Sequence, residues 1–320
     1  MSWKETYQAW ADEPRLAADL KQELTTMTDE EKEDAFYGPL SFGTAGMRGL
    51  MGPGTNRMNV YTVRQATAGL AALMESLGDE IKQRGVAIGY DSRHHSAEFA
   101  HDCARVLGAH QIPVFIYDNV RPTPELSFAV RYNHAYAGIM ITASHNPKEY
   151  NGYKIYGEDG GQLPPKESDQ MTAFIRQIDD VFGIELADEQ AMLNSGLEQV
   201  MGEDVDFAYL QEAKAVTINR ELAAEYGRDM KFVFTPLCGV GRMLGERALR
   251  QAGFFNFVIE PLEAQPNGDF PGLKNPNPEF AEAFTRSIAL GKQVDADVLI
   301  ATDPDADRMG CAVRQPNGEY

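Results

Sequence analysis

The feature that most limits how this 320-residue chain can fold is a repeated alternation of short apolar runs with helical segments. In the first alternation, the apolar runs are residues 86–90, 112–117 and 137–142, and helical patterns cover residues 96–110 and 123–132 between them. The runs are apolar throughout, which is typical of strands in a parallel sheet whose two faces are both covered. This pattern predicts a β-α-β-α-β unit.

A second alternation begins near residue 231. It predicts strands over residues 232–235, 255–260 and 298–301, and helices over residues 242–251 and 278–291. The two alternations together predict an α/β fold of two related three-layer α/β/α domains with mostly parallel mixed sheets. We place the first domain at residues 1–205 and the second at residues 206–320.

The remaining segments are predicted to be largely helical. Residues 1–35 and 60–77 show helical patterns, and Thr28 with Glu31 has the spacing of a capping box. Residues 168–227 are also predicted to be mostly helical, whereas residues 41–49 contain too many glycines for a regular element.

The last residues of the chain predict half of a hairpin. Residues 311–314 have the pattern of a strand, and Pro316, Asn317 and Gly318 form a turn signal two residues before the sequence stops. We therefore expect the chain to be a fragment of a longer protein.

The net charge and the cysteine content limit which binding partners and which cellular compartment the sequence allows. The formal net charge is -19, with a pI near 4.7, which argues against nucleic acid or an anionic membrane as a partner. The three cysteines, Cys103, Cys238 and Cys311, are widely spaced and are expected to be reduced core residues. Without a signal-peptide pattern or a membrane-spanning run, the sequence predicts a cytoplasmic protein.

The acidic run DPDADR follows the last apolar strand of the second alternation. Asp303, Asp305 and Asp307 are close enough to converge on one hard cation such as Mg²⁺, and three like charges so close repel one another unless a cation joins them. An EF-hand loop does not fit, because Arg308 and Arg314 stand where that loop needs its glycine and its glutamate.

Two alternatives to a metal site remain open for this run. One is the D-x-D motif of haloacid-dehalogenase phosphatases, with Asp303 as nucleophile, although that motif leaves Asp307 and Arg308 unexplained. The other is a solvated turn whose aspartates cap a helix.

The run ITASHNP ends the third apolar strand with Ser144. Taken alone, Ser144 is explained as a helix N-cap and Asn146-Pro147 as a turn. The downstream run NGYK delivers Lys154 to the same loop, which favours a phosphate-carrying serine opposite the cation.

Two other loops contain candidate residues. FGTAGMRG over residues 42–49 is either a flexible connection or a loop that turns Arg48 toward a phosphate. GYDSRHHS over residues 89–96 is interpreted as a strand end whose Asp91 and Ser92 cap the next helix, although Arg93 could pair with the serine loop.

Taken together, these motifs resemble the α-D-phosphohexomutase family of phosphoglucomutases and phosphomannomutases. The family's T-A-S-H-N-P and N-G-Y-K motifs match residues 142–147 and 151–154, D-x-D-x-D-R matches 303–308, and G-T-A-G-x-R-G matches 43–49. The run NRMN over residues 56–59 resembles the phosphoglucomutase branch, which also contains phosphopentomutases.

The resemblance implies a Mg²⁺-dependent isomerase that interconverts hexose 1-phosphate and hexose 6-phosphate, most readily glucose, through a sugar 1,6-bisphosphate. Phosphomannomutase or phosphopentomutase activity is the alternative. It also implies a third and a fourth domain beyond Tyr320, so this chain alone is expected to be a binding module or a weak enzyme. The implied site comprises Ser144 as phosphoserine and metal ligand, Asp303, Asp305 and Asp307 as metal ligands, His145 and Lys154 as catalytic residues, and Arg48 and Arg308 as phosphate-binding residues.

Overall fold

The computed structural model describes residues 2–43 and 46–320 and contains two sheets with helices on their faces. The strands are β1 (Met47–Leu50), β2 (Val86–Tyr90), β3 (Val114–Tyr117), β4 (Ala137–Ile141), β5 (Tyr150–Tyr156), β6 (Glu198–Met201), β7 (Phe232–Thr235), β8 (Phe257–Ile259), β9 (Val298–Thr302) and β10 (Met309–Val313).

The α-helices are α1 (Trp3–Asp12), α2 (Ala18–Thr26), α3 (Asp29–Phe36), α4 (Val60–Leu77), α5 (Asp79–Arg84), α6 (Ser96–Ala109), α7 (Thr123–Tyr132), α8 (Pro165–Ile175), α9 (Glu189–Ser195), α10 (Glu203–Ala215), α11 (Arg220–Tyr226), α12 (Arg242–Gln251) and α13 (Thr285–Val294). A short 3₁₀ helix, Ala281–Phe284, precedes α13.

The two sheets share one topology. The first has the strand order β1-β5-β4-β2-β3-β6 and the second has β10-β9-β7-β8. In the second sheet, β9, β7 and β8 are parallel and β10 returns antiparallel beside β9. In the first sheet, β4, β2 and β3 have the same arrangement with β5 antiparallel beside β4, and β6 adds a fourth parallel strand beside β3. The predicted α/β class with mostly parallel mixed sheets is confirmed, and the second sheet repeats the central part of the first.

This repeat gives the serine loop and the acidic loop equivalent places. Ser144 lies in the connection between β4 and β5, and Asp303 lies in the connection between β9 and β10. Both loops therefore leave the carboxyl end of a buried parallel strand, which is the edge where open α/β sheets bind ligands.

The first sheet has a large apolar core on each face. One face packs against α4, α6 and α8, and the other packs against α7 and α10. The second sheet packs against α13 through Val233, Leu299 and Ala301. A separate aromatic cluster joins the N-terminal helices to α4, with Trp10 against Phe36 and Tyr61.

Several sequence predictions need correction. Residues 41–49 are not wholly irregular, because Met47–Leu50 pairs with Tyr150–Tyr156 as β1. Neither β5 nor β6 was predicted, and residues 1–35 form three helices, although the capping box of Thr28 and Glu31 is present. Cys311 is exposed and is not the core residue expected, whereas Cys103 and Cys238 are buried. The domain boundary at 205/206, which falls within α10, stays a prediction.

Within the described residues, no helix combines the length and the apolar composition that crossing a bilayer requires.

Candidate active site

The serine loop and the acidic loop meet between the two sheets. Ser144 is 2% exposed, and its hydroxyl donates a 2.7 Å hydrogen bond to Oδ2 of Asp303. These residues are 159 positions apart, so the contact exists only because the two units of the fold pack against each other. The juxtaposition expected from the two strand ends is therefore present.

The backbone of the serine loop adopts a conformation that a serine rarely has. Ser144 has a φ of 51°, in the left-handed region, and Ala306 of the acidic loop has a φ of 54°. Such a residue costs about 1–3 kcal/mol and persists only where its surroundings enforce it. Here the Ser144 amide donates to Thr142 Oγ1 at 2.8 Å, and the Thr142 hydroxyl donates to Asp91 at 2.6 Å.

The buried side chain of Arg93 also binds the backbone of the serine loop. Its guanidinium donates to the carbonyl oxygens of Ser144, Asn146, Pro147 and Tyr150, and its side chain is fully buried beside Asp91. The possibility that Arg93 pairs with the serine loop is thus realised, and Asp91 accepts hydrogen bonds from Arg93 N and Ser96 Oγ.

Residues of the second unit pack over Arg93, which we call the arginine clamp of the serine loop. The ring of Phe270 lies with its centroid 5.0 Å from the Arg93 guanidinium carbon. The Ser92 hydroxyl donates to the Cys238 carbonyl, and Gly268 lies against the backbone of residues 92–94. The segment over residues 261–277 therefore helps to fix the serine loop.

The three aspartates of the acidic loop form the one cluster in the described part of the chain with the spacing of a metal site. Each of Asp303, Asp305 and Asp307 offers a carboxylate oxygen, and these oxygens lie within 4.8 Å of one another. Asp305 Oδ1 is buried and has no hydrogen-bond partner. An unpartnered buried carboxylate oxygen is costly, and an oxygen-only cluster suits a hard cation. The donor set therefore fits Mg²⁺.

Lys154 neutralises part of this acidic cluster. It projects from β5 and donates to Asp305 Oδ2 at 2.8 Å and to Asp307 Oδ2 at 3.2 Å. Burial lowers the pKa of the Lys154 ammonium, but Asp305 and Asp307 outweigh burial and raise the net pKa above its ordinary value. Lys154 is consequently a cation at neutral pH.

The two buried aspartates differ in their ionisation. Burial, followed by repulsion from Asp305, raises the pKa of Asp303. Burial also opposes the charge of Asp305, but the Lys154 ammonium beside it outweighs burial and lowers its pKa overall. In the protein without a cation, Asp303 therefore takes up a proton at a higher pH than Asp305 does, and a bound cation would have to displace that proton.

The other predicted site residues surround the serine. His145 Nδ1 lies 3.1 Å from Ser144 Oγ, and burial, together with Arg308 and Arg48, lowers the pKa of the imidazole. Arg48 donates to Asn146 Oδ1 of the serine loop at 2.8 Å. Arg308 donates its backbone N–H to Asp303, while its half-exposed guanidinium pairs with Glu279 at 2.8 Å. Thr44 and Ala45 of the glycine-rich motif lie outside the described residues.

Sequence reasoning did not find Thr123 and gave Thr142 no role beyond ending an apolar strand. Thr123 lies at the start of α7 and contacts Asp305 of the second unit. The sequence around Thr123 contains no signal for this contact, because it depends on how the second unit packs against the start of α7.

A large apolar cavity borders the site. It has a volume of about 520 Å³ and lies between α10, α12 and the second sheet, with Asp307 and Arg308 in its lining. Its lining is mostly apolar, so it does not extend the polar cluster.

This fold and this site define an α/β protein of two repeated three-layer domains, with one serine and three aspartates at the junction between them. Models of the Phosphoglucomutase/phosphomannomutase family match the chain as "alpha/beta/alpha domain I" over residues 39–181 and "alpha/beta/alpha domain II" over residues 208–318. The chain belongs to the phosphoglucomutase/phosphomannomutase family.

Similar proteins and structures agree with this assignment. The chain is 41% identical over 301 residues to the phosphoglucomutase of Staphylococcus saprophyticus, covering 94% of this chain and 53% of that protein. It is 37% identical over 320 residues to the phosphoglucomutase of Staphylococcus haemolyticus, covering 99% and 55%. The chain therefore spans about half the length of these relatives.

Among solved structures, a putative phosphomannomutase from Thermus thermophilus superposes with a TM-score of 0.72 at 25% identity, over 88% of this chain and 58% of that one. A Paramecium structure titled pp63/parafusin superposes with a TM-score of 0.65 at 20% identity, over 87% and 54%, and supports the fold alone.

Proposed function

We propose that this chain forms the first two domains of a phosphosugar mutase that interconverts hexose 1-phosphate and hexose 6-phosphate, with glucose as the preferred sugar. The reaction would pass through a phosphorylated Ser144 and a sugar 1,6-bisphosphate. The phosphoglucomutase names of the 37–41% identical relatives support this proposal, and mannose and pentose phosphates are the alternative substrates.

One observation carries the proposal. A buried serine hydroxyl lies 2.7 Å from one carboxylate of a cluster that fits Mg²⁺. When bound by Asp303, Asp305, Asp307 and an oxygen attached to Ser144, that ion would supply positive charge beside a serine phosphate. Phosphoryl transfer depends mainly on such positioning and charge neutralisation.

The chain's own residues would position the phosphate. Arg93 and Thr142 hold the serine loop rigid, and Arg48 lies on the loop's Asn146 side. In the forward step a sugar hydroxyl would bond to phosphorus as the phosphorus–Oγ bond of Ser144 breaks. The neutral imidazole of His145 could accept the proton of the sugar hydroxyl. Lys154 stays protonated because its pKa is raised, so it would contribute positive charge and would not act as the proton acceptor.

The phosphatase alternative has less support. An aspartate nucleophile attacks through a carboxylate oxygen, and the hydrogen bonds that Asp303 Oδ2 accepts from Ser144 Oγ and Asp303 Oδ1 accepts from Arg308 N would lower the nucleophilicity of both oxygens. Both oxygens are also held at the bottom of a buried cluster. For this chain alone, a phosphosugar-binding module without turnover is the second candidate, because the chain spans only 53% of the first relative.

Phosphate transfer from glucose 1,6-bisphosphate tests the proposal. The 320-residue chain would be incubated with the bisphosphate and Mg²⁺, and its intact mass and phosphopeptides measured. We expect one added phosphate, located on Ser144. Ser144→Ala should show none, and Thr25→Ala, which removes an exposed hydroxyl on α2, should behave like the parent chain.

Three results would count against the proposal. Phosphate on Asp303, or undiminished phosphate release by Ser144→Ala, would favour the phosphatase. Unchanged mass together with bisphosphate binding would favour the binding module.

In cells, we propose that the protein is cytoplasmic, which fractionation followed by detection of the chain would test.

A further inference from the structure

The carboxylate of Asp305 is held from the first unit of the fold. Its Oδ2 accepts hydrogen bonds from Thr123 Oγ1 at 2.9 Å and from Lys154 Nζ at 2.8 Å. The Thr123 amide also donates to the Asp305 carbonyl at 2.9 Å. Thr123 and Lys154 belong to α7 and β5, whereas Asp305 belongs to the connection between β9 and β10.

These contacts make the two oxygens of Asp305 unequal. Oδ2 is occupied by two donors, while the buried Oδ1 has no partner. The two donors on one oxygen fix the plane of the carboxylate. The second oxygen position is therefore held in one direction and is left without a partner.

We propose that Thr123 is a positioning residue for the cation: its hydroxyl and amide fix the acidic loop so that Asp305 Oδ1 faces the metal site. The inference rests on the Mg²⁺ site of the proposed function. Hydrogen bonds to the second oxygen of a ligating carboxylate orient the ligand, and their loss costs about 10-fold to 100-fold in metal affinity.

The direction of the Thr123 hydroxyl distinguishes a positioning role from ordinary helix capping. Thr123 is the first residue of α7, and its hydroxyl is directed at Asp305 rather than at an amide of its own helix. Thr123 is 4% exposed, so no solvent replaces its hydroxyl if it is removed. A purely structural threonine would contribute to stability with or without the cation, whereas a positioning threonine contributes mainly to cation binding.

Calorimetric titration with Mg²⁺ tests the inference without measuring turnover. The 320-residue chain would be compared with Thr123→Val, which keeps the shape but removes the hydroxyl, and with Thr123→Ser, which restores it. We expect Thr123→Val to weaken Mg²⁺ binding by about 10-fold or more and Thr123→Ser to bind within a few-fold of the parent. Thr285→Val, at the start of α13, is the control, because Thr285 is exposed and its hydroxyl bonds within its own segment to the Glu282 carbonyl.

Unfolding in EDTA supplies the second readout. A midpoint for Thr123→Val close to the parent's, together with weaker binding, supports the positioning role. Undiminished Mg²⁺ affinity in Thr123→Val overturns the inference and leaves the proposed function standing. Equal losses in Thr123→Val and Thr123→Ser would also overturn it, because the hydroxyl would not be responsible. If the parent chain binds no Mg²⁺, both the inference and the metal site of the proposed function fail.

Discussion

At the residue scale, the arginine beneath the serine loop determines how rigid that loop is. Arg93 has a fully buried side chain, donates to loop carbonyls and pairs with the equally buried Asp91 at 3.3 Å. Removal of one partner of such a pair leaves a buried charge uncompensated and typically costs about 3–5 kcal/mol. Arg93 therefore matters more for stability than the exposed arginines of the chain do.

We expect Arg93→Met to lower the free energy of unfolding by about 3–5 kcal/mol, as measured by urea denaturation. Arg93→Lys should be less harmful, because it keeps the charge but cannot reproduce the planar fork that reaches several carbonyls. Arg176→Met, on the exposed end of α8, is the control and should change stability by less than about 0.5 kcal/mol. An Arg93→Met chain as stable as the control would show that the clamp contributes little.

A second residue-scale prediction concerns Glu125 on α7. Its side chain is fully buried, neither carboxylate oxygen has a hydrogen-bond partner, and Oε2 lies 3.9 Å from Arg121 Nε. Burial, followed by the neighbouring Asp206 carboxyl group, raises its pKa to about 9. The folded protein therefore holds a proton that the unfolded chain releases at lower pH. Stability from this group is complete below the ordinary carboxyl pKa and is lost as the pH rises toward 9.

The substitution Glu125→Gln removes the carboxyl group whose protonation makes stability depend on pH. The stability of the variant relative to the parent should rise between about pH 5 and about pH 9 by up to about 1.4 kcal/mol per pH unit, as followed by urea unfolding at several pH values. Glu212→Gln on the exposed face of α10 is the control. A difference between Glu125→Gln and the parent that does not vary with pH would refute the assignment of a neutral buried acid.

At the element scale, β5 connects the serine to the sheet. Gly152 lies between β1 and β4, and a Cβ there would stand 2.5 Å from the Thr142 carbonyl oxygen and 2.9 Å from that of Met47. Both obstacles are backbone atoms of paired strands, so neither can move without breaking the sheet.

We therefore expect Gly152→Ala to lower the free energy of unfolding by about 1–3 kcal/mol and to slow phosphorylation of Ser144, because Thr142 directly precedes the serine loop. Gly157→Ala, just beyond β5, is the control, since its nearest atom would be 3.4 Å away. Thermal unfolding and the rate of phosphate incorporation give the two readouts. Equal behaviour of the two variants would mean that β5 tolerates the added methyl group.

The elements also show what sequence alone can predict. The central strands β2 and β7 have the predicted bounds, because continuous apolar runs with flanking polar residues identify buried parallel strands. By contrast, β5 contains Asn151, Gly152 and Lys154, which are typical of a loop, and it is buried only because β1 and β4 flank it. The strand β6 has two exposed residues and lies at an edge of its sheet, so its sequence shows little strand pattern.

The positions of the candidate site residues were predictable to a similar extent. Ser144 and the three aspartates were expected at strand ends and Lys154 in the run NGYK, and their proximity in the structure follows from the shared carboxyl edges of the sheets. The contact of Thr123 with Asp305 and the cover that Phe270 places over Arg93 depend on how the two units pack. No local pattern in either segment encodes that packing.

At the scale of the whole molecule, the two units are joined through the site itself. Ser144, Thr123 and Lys154 from the first unit all contact the acidic loop of the second. A cation bound there should stabilise both units together, by about 2.7 kcal/mol when its free concentration is about 100 times its dissociation constant.

We expect Mg²⁺ to raise the unfolding midpoint in a single transition and Asp307→Asn to abolish most of this shift. Asp229→Asn, an exposed substitution beyond α11, should retain it. Calorimetry with Mg²⁺ or EDTA makes the comparison. Two separate transitions, only one of which responds to Mg²⁺, would indicate that the units are not coupled through the site.

The most direct test of the central claim is whether a phosphate on Ser144 and the cation held by the three aspartates are in contact. The chain would be phosphorylated with a sugar bisphosphate and loaded with Mn²⁺ in place of Mg²⁺, and the hyperfine coupling between manganese and phosphorus measured by electron–nuclear double resonance. We predict a phosphorus coupling of the size given by a directly bound phosphate, absent in Ser144→Ala. Manganese bound by the aspartates with no such coupling, in a chain shown by mass to carry the phosphate on Ser144, would contradict the account.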